Sequence, residues 1–259
     1  MVFLNIRFKY FFNFFLKVLI NLVATILFFL ILNTKDVFSE EGSKKIDIYF
    51  YNFNIGHFNF NYKIYQRDYV VNSNGKIKNF IFFSNLNILS GSIGKITKSG
   101  DLTPSQFSLN YNFNQKKIFK SKILFKDDTV IKFVSSGQPN FLKNNFSPIG
   151  VKNSIDPSTT LLFFLRNKNK NKICSGKISV IDGHRLVDII FEEKKNINKN
   201  EIICKGNLKR LKGFKENLFF KKSSSFLIFY KKNEDNTYYV EGLSFKTFLG
   251  FVKVKISVN

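Results

Sequence analysis

The sequence predicts a mainly β protein, built as one antiparallel, strongly curved sheet or a partly open β-barrel with one short helix. Three observations predict it. Apolar and aromatic residues alternate with polar ones along most of the chain beyond residue 40, tight-turn signals separate the alternating runs, and a single segment combines a helix start with an apolar face.

Taken in order, DIYFYNFNIGHFNFNYKIY puts Tyr49, Tyr51, Phe53 and Ile55 in one phase of the alternation and Phe58, Phe60, Tyr62 and Ile64 in the other. The phase slips at Gly56-His57, where a turn or bulge is expected. Further strands are expected in residues 78–83, 105–113, 120–126, 129–134, 224–230, 237–243 and 250–258, with turns at Asn74-Gly75, at Lys126-Asp127-Asp128 and at Asn233 to Asn236. SNLNILSGSIGK (84–95) reads as a short helix or a Gly-rich loop. The helix is expected in IDPSTTLLFFLRN, where Asp156 can accept from the first backbone amides, Pro157 suits the first helical position, and Leu161, Leu162 and Leu165 form an apolar face. No period of 20 to 50 residues repeats, which argues against a propeller or solenoid.

The stretch ISVIDGHRLVDIIF (178–191) gathers Asp182, His184 and Asp188. Ile178 and Val180 alternate into Asp182-Gly183, and Val187, Ile189 and Phe191 alternate out again, the pattern of a hairpin whose type I′ turn places positive φ at both Asp182 and Gly183. His184 and Arg185 then read as a solvated strand start. Catalysis by Asp182, His184 or Asp188 is the lesser reading, because no nucleophile is offered elsewhere. GSIGK lacks the earlier glycine of a phosphate loop, and Ser92 lacks the preceding glycine of a nucleophile elbow. The pairs Glu192-Glu193 and Asp127-Asp128 read as solvated strand ends. No catalytic residue, cofactor site or metal site is expected, and the chain is read as a non-enzyme.

Arg7, Lys9 and Lys17 flank the apolar run Val18 to Leu32, which is interrupted only by Asn21 and Thr25. That run is short for a membrane span but suits a secretory signal, and Val37 and Ser39 supply small residues before a cut after Ser39. Residues 1–39 are therefore expected to be a signal peptide, or else an N-terminal anchor, and residues 40–259 a single β-rich domain. Export to the periplasm is expected, with attachment to the inner membrane as the alternative. The remaining domain carries a formal charge of +20, three fewer than the +23 of the whole chain. Lys, Asn, Ile and Phe are abundant together, a bias that AT-rich codons produce, and the lysines are scattered apart from RNKNKNK (166–172). Nucleic acid is not expected as a partner; an anionic membrane surface is the better match to the charge. Cys174 and Cys204 are the only cysteines, and in an oxidising compartment they are expected to form a disulfide.

Several pieces, in this order, carry a resemblance: the strand pair around Gly56; GDLTPSQF from Gly100 to Phe107; Asp156-Pro157-Ser158 with Leu161 and Leu162; Cys174; Val180, Asp182-Gly183, Arg185 and Asp188; Cys204; and Thr247 to Gly250. Together they resemble the exported bacterial family catalogued as domain of unknown function 3108. The resemblance implies an envelope protein with a curved β-sheet, similar to the half-barrels that carry lipoproteins, and places the disulfide beside the hairpin. It implies no activity. The functional expectation is a non-enzymatic periplasmic β-scaffold that binds lipid or another apolar or amphipathic envelope component, or assists envelope assembly. A basic surface binding anionic membrane or polyanion is the alternative, and a hydrolase comes last. An apolar concave face is expected to stay open for a ligand, unless the strands curl until their own phenylalanines fill the interior.

Overall fold

The computed structural model describes residues 39–78, 85–113, 117–136, 146–214, 223–247 and 250–258. Contacts divide the chain into Met1–Ser39 and Glu40–Asn259, and the fold below is that of the second unit.

Thirteen strands form one antiparallel sheet. They are β1 (Ser39–Phe50), β2 (Phe53–Tyr65), β3 (Asp68–Ile77), β4 (Leu86–Ile96), β5 (Leu102–Phe113), β6 (Lys117–Lys126), β7 (Thr129–Ser136), β8 (Lys177–Ile181), β9 (Leu186–Asn196), β10 (Glu201–Lys212), β11 (Ser223–Lys232), β12 (Tyr238–Thr247) and β13 (Gly250–Val258). Their spatial order is β7-β6-β5-β4-β3-β2-β1-β13-β12-β11-β10-β9-β8, so two sequential meanders meet where β1 pairs with β13. The antiparallel sheet with one α-helix among the described residues, α1 (Pro157–Leu165), is the predicted class.

Several local expectations are corrected. The turn between the first two strands falls at Tyr51 and Asn52, not at Gly56-His57, which lie inside β2. The inward phase of β1 is Ile46 and Phe50, while Tyr51 and Phe53 are exposed, because every second residue there is large and the phase cannot be read from aromaticity. Asn74-Gly75 is not a turn but the middle of β3, where Gly75 leaves room for the ring of Phe58 across the ladder. Segment 84–95 is neither helix nor loop from Leu86 onward, but strand β4. Between Ile88 and Ile96 its inward residues are Ser90 and Ser92, bonded to the start of α1, and Gly94, where the Tyr69 hydroxyl fills the space of a side chain, so the apolar alternation that marks a strand is interrupted. The strand expected in 78–83 lies outside the described residues apart from Lys78.

The sheet rolls up without joining edge to edge. Along its inner face runs the row Val71, Ser92, Phe107, Ile123 and Phe133, from β3 to β7. At the other end, Val180 and Ile189 of the β8–β9 hairpin point to one core cluster with Phe164, Ile202, Cys204, Phe226, Ile228 and Tyr230. The neighbouring pair Ile181 and Leu186 must point to the opposite face of the hairpin, and these two pack with Phe107, Ile123, Phe125 and Val130. The hairpin is thus buried on both faces, tucked inside the β5–β7 end of the sheet. The result is a spiral rather than a closed barrel. The chain between β7 and α1 stitches the overlap: Gly150 donates to the Val130 carbonyl at 2.8 Å and Asn153 to that of Asp128 at 2.9 Å, while Ile155 donates to Ser179 and Ile181 to Ile155, both at 2.9 Å.

Helix α1 lies inside the roll and is apolar on more than one side. Leu162 and Leu165 join Phe60, Ile64, Tyr69 and Val71, and Phe164 joins the cluster around Ile228. Helix and tucked hairpin together occupy the concave face that was expected to stay open, so the ligand question moves to the rim. Cys174 and Cys204 form a disulfide with Cα atoms 5.3 Å apart, tying the segment after α1 to β10 across 30 residues. Closing a loop of that length contributes about 3 to 4 kcal/mol on the chain-entropy estimate. Reduction is expected to lower the thermal midpoint without changing the fold class, read by circular dichroism melts with and without reductant.

Candidate functional site

Asp156 anchors α1 to the sheet. Its side chain is fully buried, and its Oδ1 accepts from the amides of Ser158 at 2.8 Å and Thr159 at 2.9 Å. Its Oδ2 accepts from the hydroxyls of Ser92 at 2.7 Å and Thr159 at 2.6 Å. Tyr69 and Thr159 share a further hydrogen bond at 2.8 Å, and Ser90 links Ser158 to Ser73 at 2.9 and 2.7 Å. Burial pushes the Asp156 carboxyl up from its ordinary value, and the four donors oppose that shift. A Ser, a Thr, a Tyr and an Asp in mutual contact resemble chemistry, yet no member is exposed to a substrate. The cluster reads as a cap extended into the sheet wall. Ser92 is a partner that the sequence did not assign to Asp156, and Tyr69 reaches the cluster through Thr159; the signal was the pair of inward serines, Ser90 and Ser92, in SGSIG.

At the other end of the helix Arg166 reaches Glu40 on β1 at 3.2 Å, and Tyr62 donates to the same carboxylate at 3.0 Å. Lys168 follows, its ammonium 3.3 Å from the centre of the Phe163 ring. Burial, assisted by Arg166, pulls its pKa down to about 7.

The hairpin turn differs in detail from the expectation. Asp182 donates its amide to the Arg185 carbonyl at 3.2 Å, so Gly183 and His184 are the central residues, and of Asp182 and Gly183 only Gly183 has positive φ, at 92°. Asp182 flanks the turn: its Oδ1 accepts from the amides of His184 and Arg185 at 2.9 and 2.7 Å, and its Oδ2 from the Arg185 guanidinium at 2.6 and 2.8 Å. His184 is not a solvated strand start but buried, edge-on to the Phe133 ring at 5.0 Å, because the hairpin is tucked under β7. That burial lowers its pKa against the pull of Asp182. Asp188 faces elsewhere, taking a hydrogen bond from Ser179 at 2.7 Å and an ion pair from Lys177 at 2.9 Å. Asp182 and His184 thus meet through the His184 backbone amide, while Asp188 has a separate set of partners. Cys174 and Cys204, as noted, hold each other.

What remains accessible beside this hairpin is a cleft of about 720 Å³, lined by Phe146, Ile149, Val151 and Leu186 with Ser147, Gly150, Lys212 and Gly213. It lies where the stitching segment passes the ends of β9 and β10. Ile149 is 59% exposed. Among the described residues, no group of three or more His, Cys, Asp or Glu side chains could hold a metal ion, and no helix is long and apolar enough to cross a membrane.

No family model matches the chain, so the resemblance to domain of unknown function 3108 finds no counterpart in that comparison. No curated protein matches it either. Among solved structures it is similar to a beta-barrel-like protein of domain of unknown function DUF1849 from Brucella abortus, at 7% identity and a TM-score of 0.42, over 86% of this chain and 98% of that one. A likeness at that level carries no argument, and the fold rests on the strand ladders themselves.

Proposed function

We propose that the protein is an exported, non-enzymatic β-scaffold of the periplasm that takes an apolar or amphipathic envelope component into the cleft at the overlap of its sheet. The cleft carries the reading: it is open and lined about equally by polar and apolar surface, with Phe146, Ile149, Val151 and Leu186 beside Lys212, a mixed lining that suits an amphipathic ligand with a polar or anionic end. The disulfide fits an oxidising compartment. The basic residues and apolar run at the N-terminus support export.

Protein purified from its own envelope is to be analysed by native mass spectrometry and lipid extraction at low and high salt. A co-purifying apolar ligand that survives high salt is the expected result; a ligand lost with salt would favour the basic surface and an anionic membrane instead. Ile149→Arg places a charge in the cleft at an exposed position. It is expected to abolish binding of a fluorescent fatty-acyl probe while leaving the thermal midpoint within about 1 °C, since surface substitutions cost little. Equal binding by this variant would remove the cleft from the account.

A further inference from the structure

The outer face of β2–β5 is unlike the rest of the surface. Two complete rows of the ladder cross it: Asn61, Asn72, Gly91, Ser108 and, beside it, Asn59, Asn74, Leu89, Asn110. Neither row contains a charged residue, although the chain has 41 Lys and Arg. Asn87 and Asn112 lie in the next row, which Lys76 on β3 also joins, so the field is bounded there by Lys76 and on β6 by Lys120 and Lys122. A biased composition supplies asparagine anywhere, but asparagine is a poor strand former, and β12 and β13 carry Glu241, Lys253 and Lys255 where this field carries amides.

The field has a shape and free hydrogen-bonding capacity. Gly91 leaves a depression of about 260 Å³ between Asn72 and Ser108, with Asn61, Asn74, Leu89 and Asn110 around it. A Cβ at Gly91 would lie 3.1 Å from the Asn72 carboxamide oxygen and 3.7 Å from the Ser108 hydroxyl, so a side chain there would fill the floor. Within the field one side-chain pair is bonded, Asn59 to Asn74 at 3.1 Å. Asn112 Oδ1 is buried at its margin with no hydrogen-bond partner.

We propose that this face binds a neutral, hydroxyl-rich ligand, a glycan strand laid across β2–β5. Each free carboxamide presents a donor pair and an acceptor, the set that matches neighbouring sugar hydroxyls. Leu89, 57% exposed, offers an apolar platform for the C–H face of a ring. The two central rows carry no charge, so an uncharged ligand laid along them asks no ion to be desolvated. The cleft proposed above lies on other strands, so the two sites stand or fall separately.

The test is isothermal calorimetry of the folded domain with an N-acetylglucosamine hexamer and a neutral glucan oligomer, with heparin as an anionic control, at low and high salt. Binding of at least one neutral probe, unchanged by salt, is expected. The triple variant Asn61→Ala, Asn72→Ala, Asn110→Ala should weaken it at least about tenfold, the loss of several hydrogen bonds. Its melting temperature should stay the same or rise, because alanine replaces asparagine at exposed strand positions, which shows that the loss is not unfolding. The proposal is overturned if neither neutral probe binds, if the triple variant binds as well as the parent, or if only heparin binds and salt removes it.

Discussion

Gly183→Val is expected to cost about 3 kcal/mol or more and to lower the thermal midpoint by several degrees. Two effects add. The backbone at Gly183 has φ of 92°, a region that a β-branched residue strongly resists, and any Cβ there would overlap the Phe133 ring. Phe133 stands on β7, so the substitution pushes apart the two ends of the sheet where the hairpin is tucked beneath the outer layer. Asp182→Asn should be mild by comparison. Its Oδ1 can still accept from the amides of His184 and Arg185, and what it loses is a half-exposed ion pair with Arg185. Chemical denaturation of both decides it, and an undiminished Gly183→Val would remove the tucked-hairpin account.

Asp156→Ala is expected to be the most damaging change at the helix, by about 3 to 5 kcal/mol. It removes a helix cap and strands two buried amides and two buried hydroxyls that had a common acceptor. Asp156→Asn keeps an acceptor for the two amides, and the hydroxyls of Ser92 and Thr159 can reverse to accept from the new amide, so its cost should be near 1 kcal/mol. The pH dependence separates charge from shape. Because the folded carboxyl holds its proton more tightly than the ordinary value of 3.8, stability is expected to fall as pH rises through 3.8 to the raised value and to level off above it. Asp156→Asn should lack that fall. Parallel urea titrations across acid pH measure it, and identical profiles for the two proteins would mean that Asp156 titrates normally.

The architecture was legible where residues obey the alternation for local reasons. Phe60, Tyr62 and Ile64 are inward in β2, the Asp127-Asp128 turn has both residues at positive φ, and Asp156-Pro157 opens the helix. It was illegible where another element dictates the side chain. In the middle of β4 the inward positions are Ser90 and Ser92, which bond the start of α1, and Gly94, which gives way to Tyr69, and a strand whose apolar alternation is interrupted looks like a loop. The hairpin had the opposite problem. Ile181 and Leu186 alternate out of phase with Val180 and Val187, which signals burial on both faces, but in a half-buried strand reading they count as noise. His184 was misjudged for the same reason, since its cover comes from a strand some fifty residues earlier that no local pattern announces. As for the rim cleft, the residues 146–151 lie outside every strand and the helix, and carry no periodic signal.

The pairing of β1 with β13 also sets an order of assembly. Lys44 meets Val258 and Phe50 meets Val252, so the strand that begins the sheet is completed by the strand farthest from it in sequence. β1 to β7 and β8 to β13 can each zip from neighbouring turns, but until β13 arrives the first meander keeps β1 as an open edge and the second keeps β13. Long-range closure of this kind is slow, and an unpaired edge recruits other chains. A chain emerging N-terminus first thus holds the free edge of β1 unpaired until β13 is made, and folding that waits for that strand favours delivery of both meanders before the sheet sets.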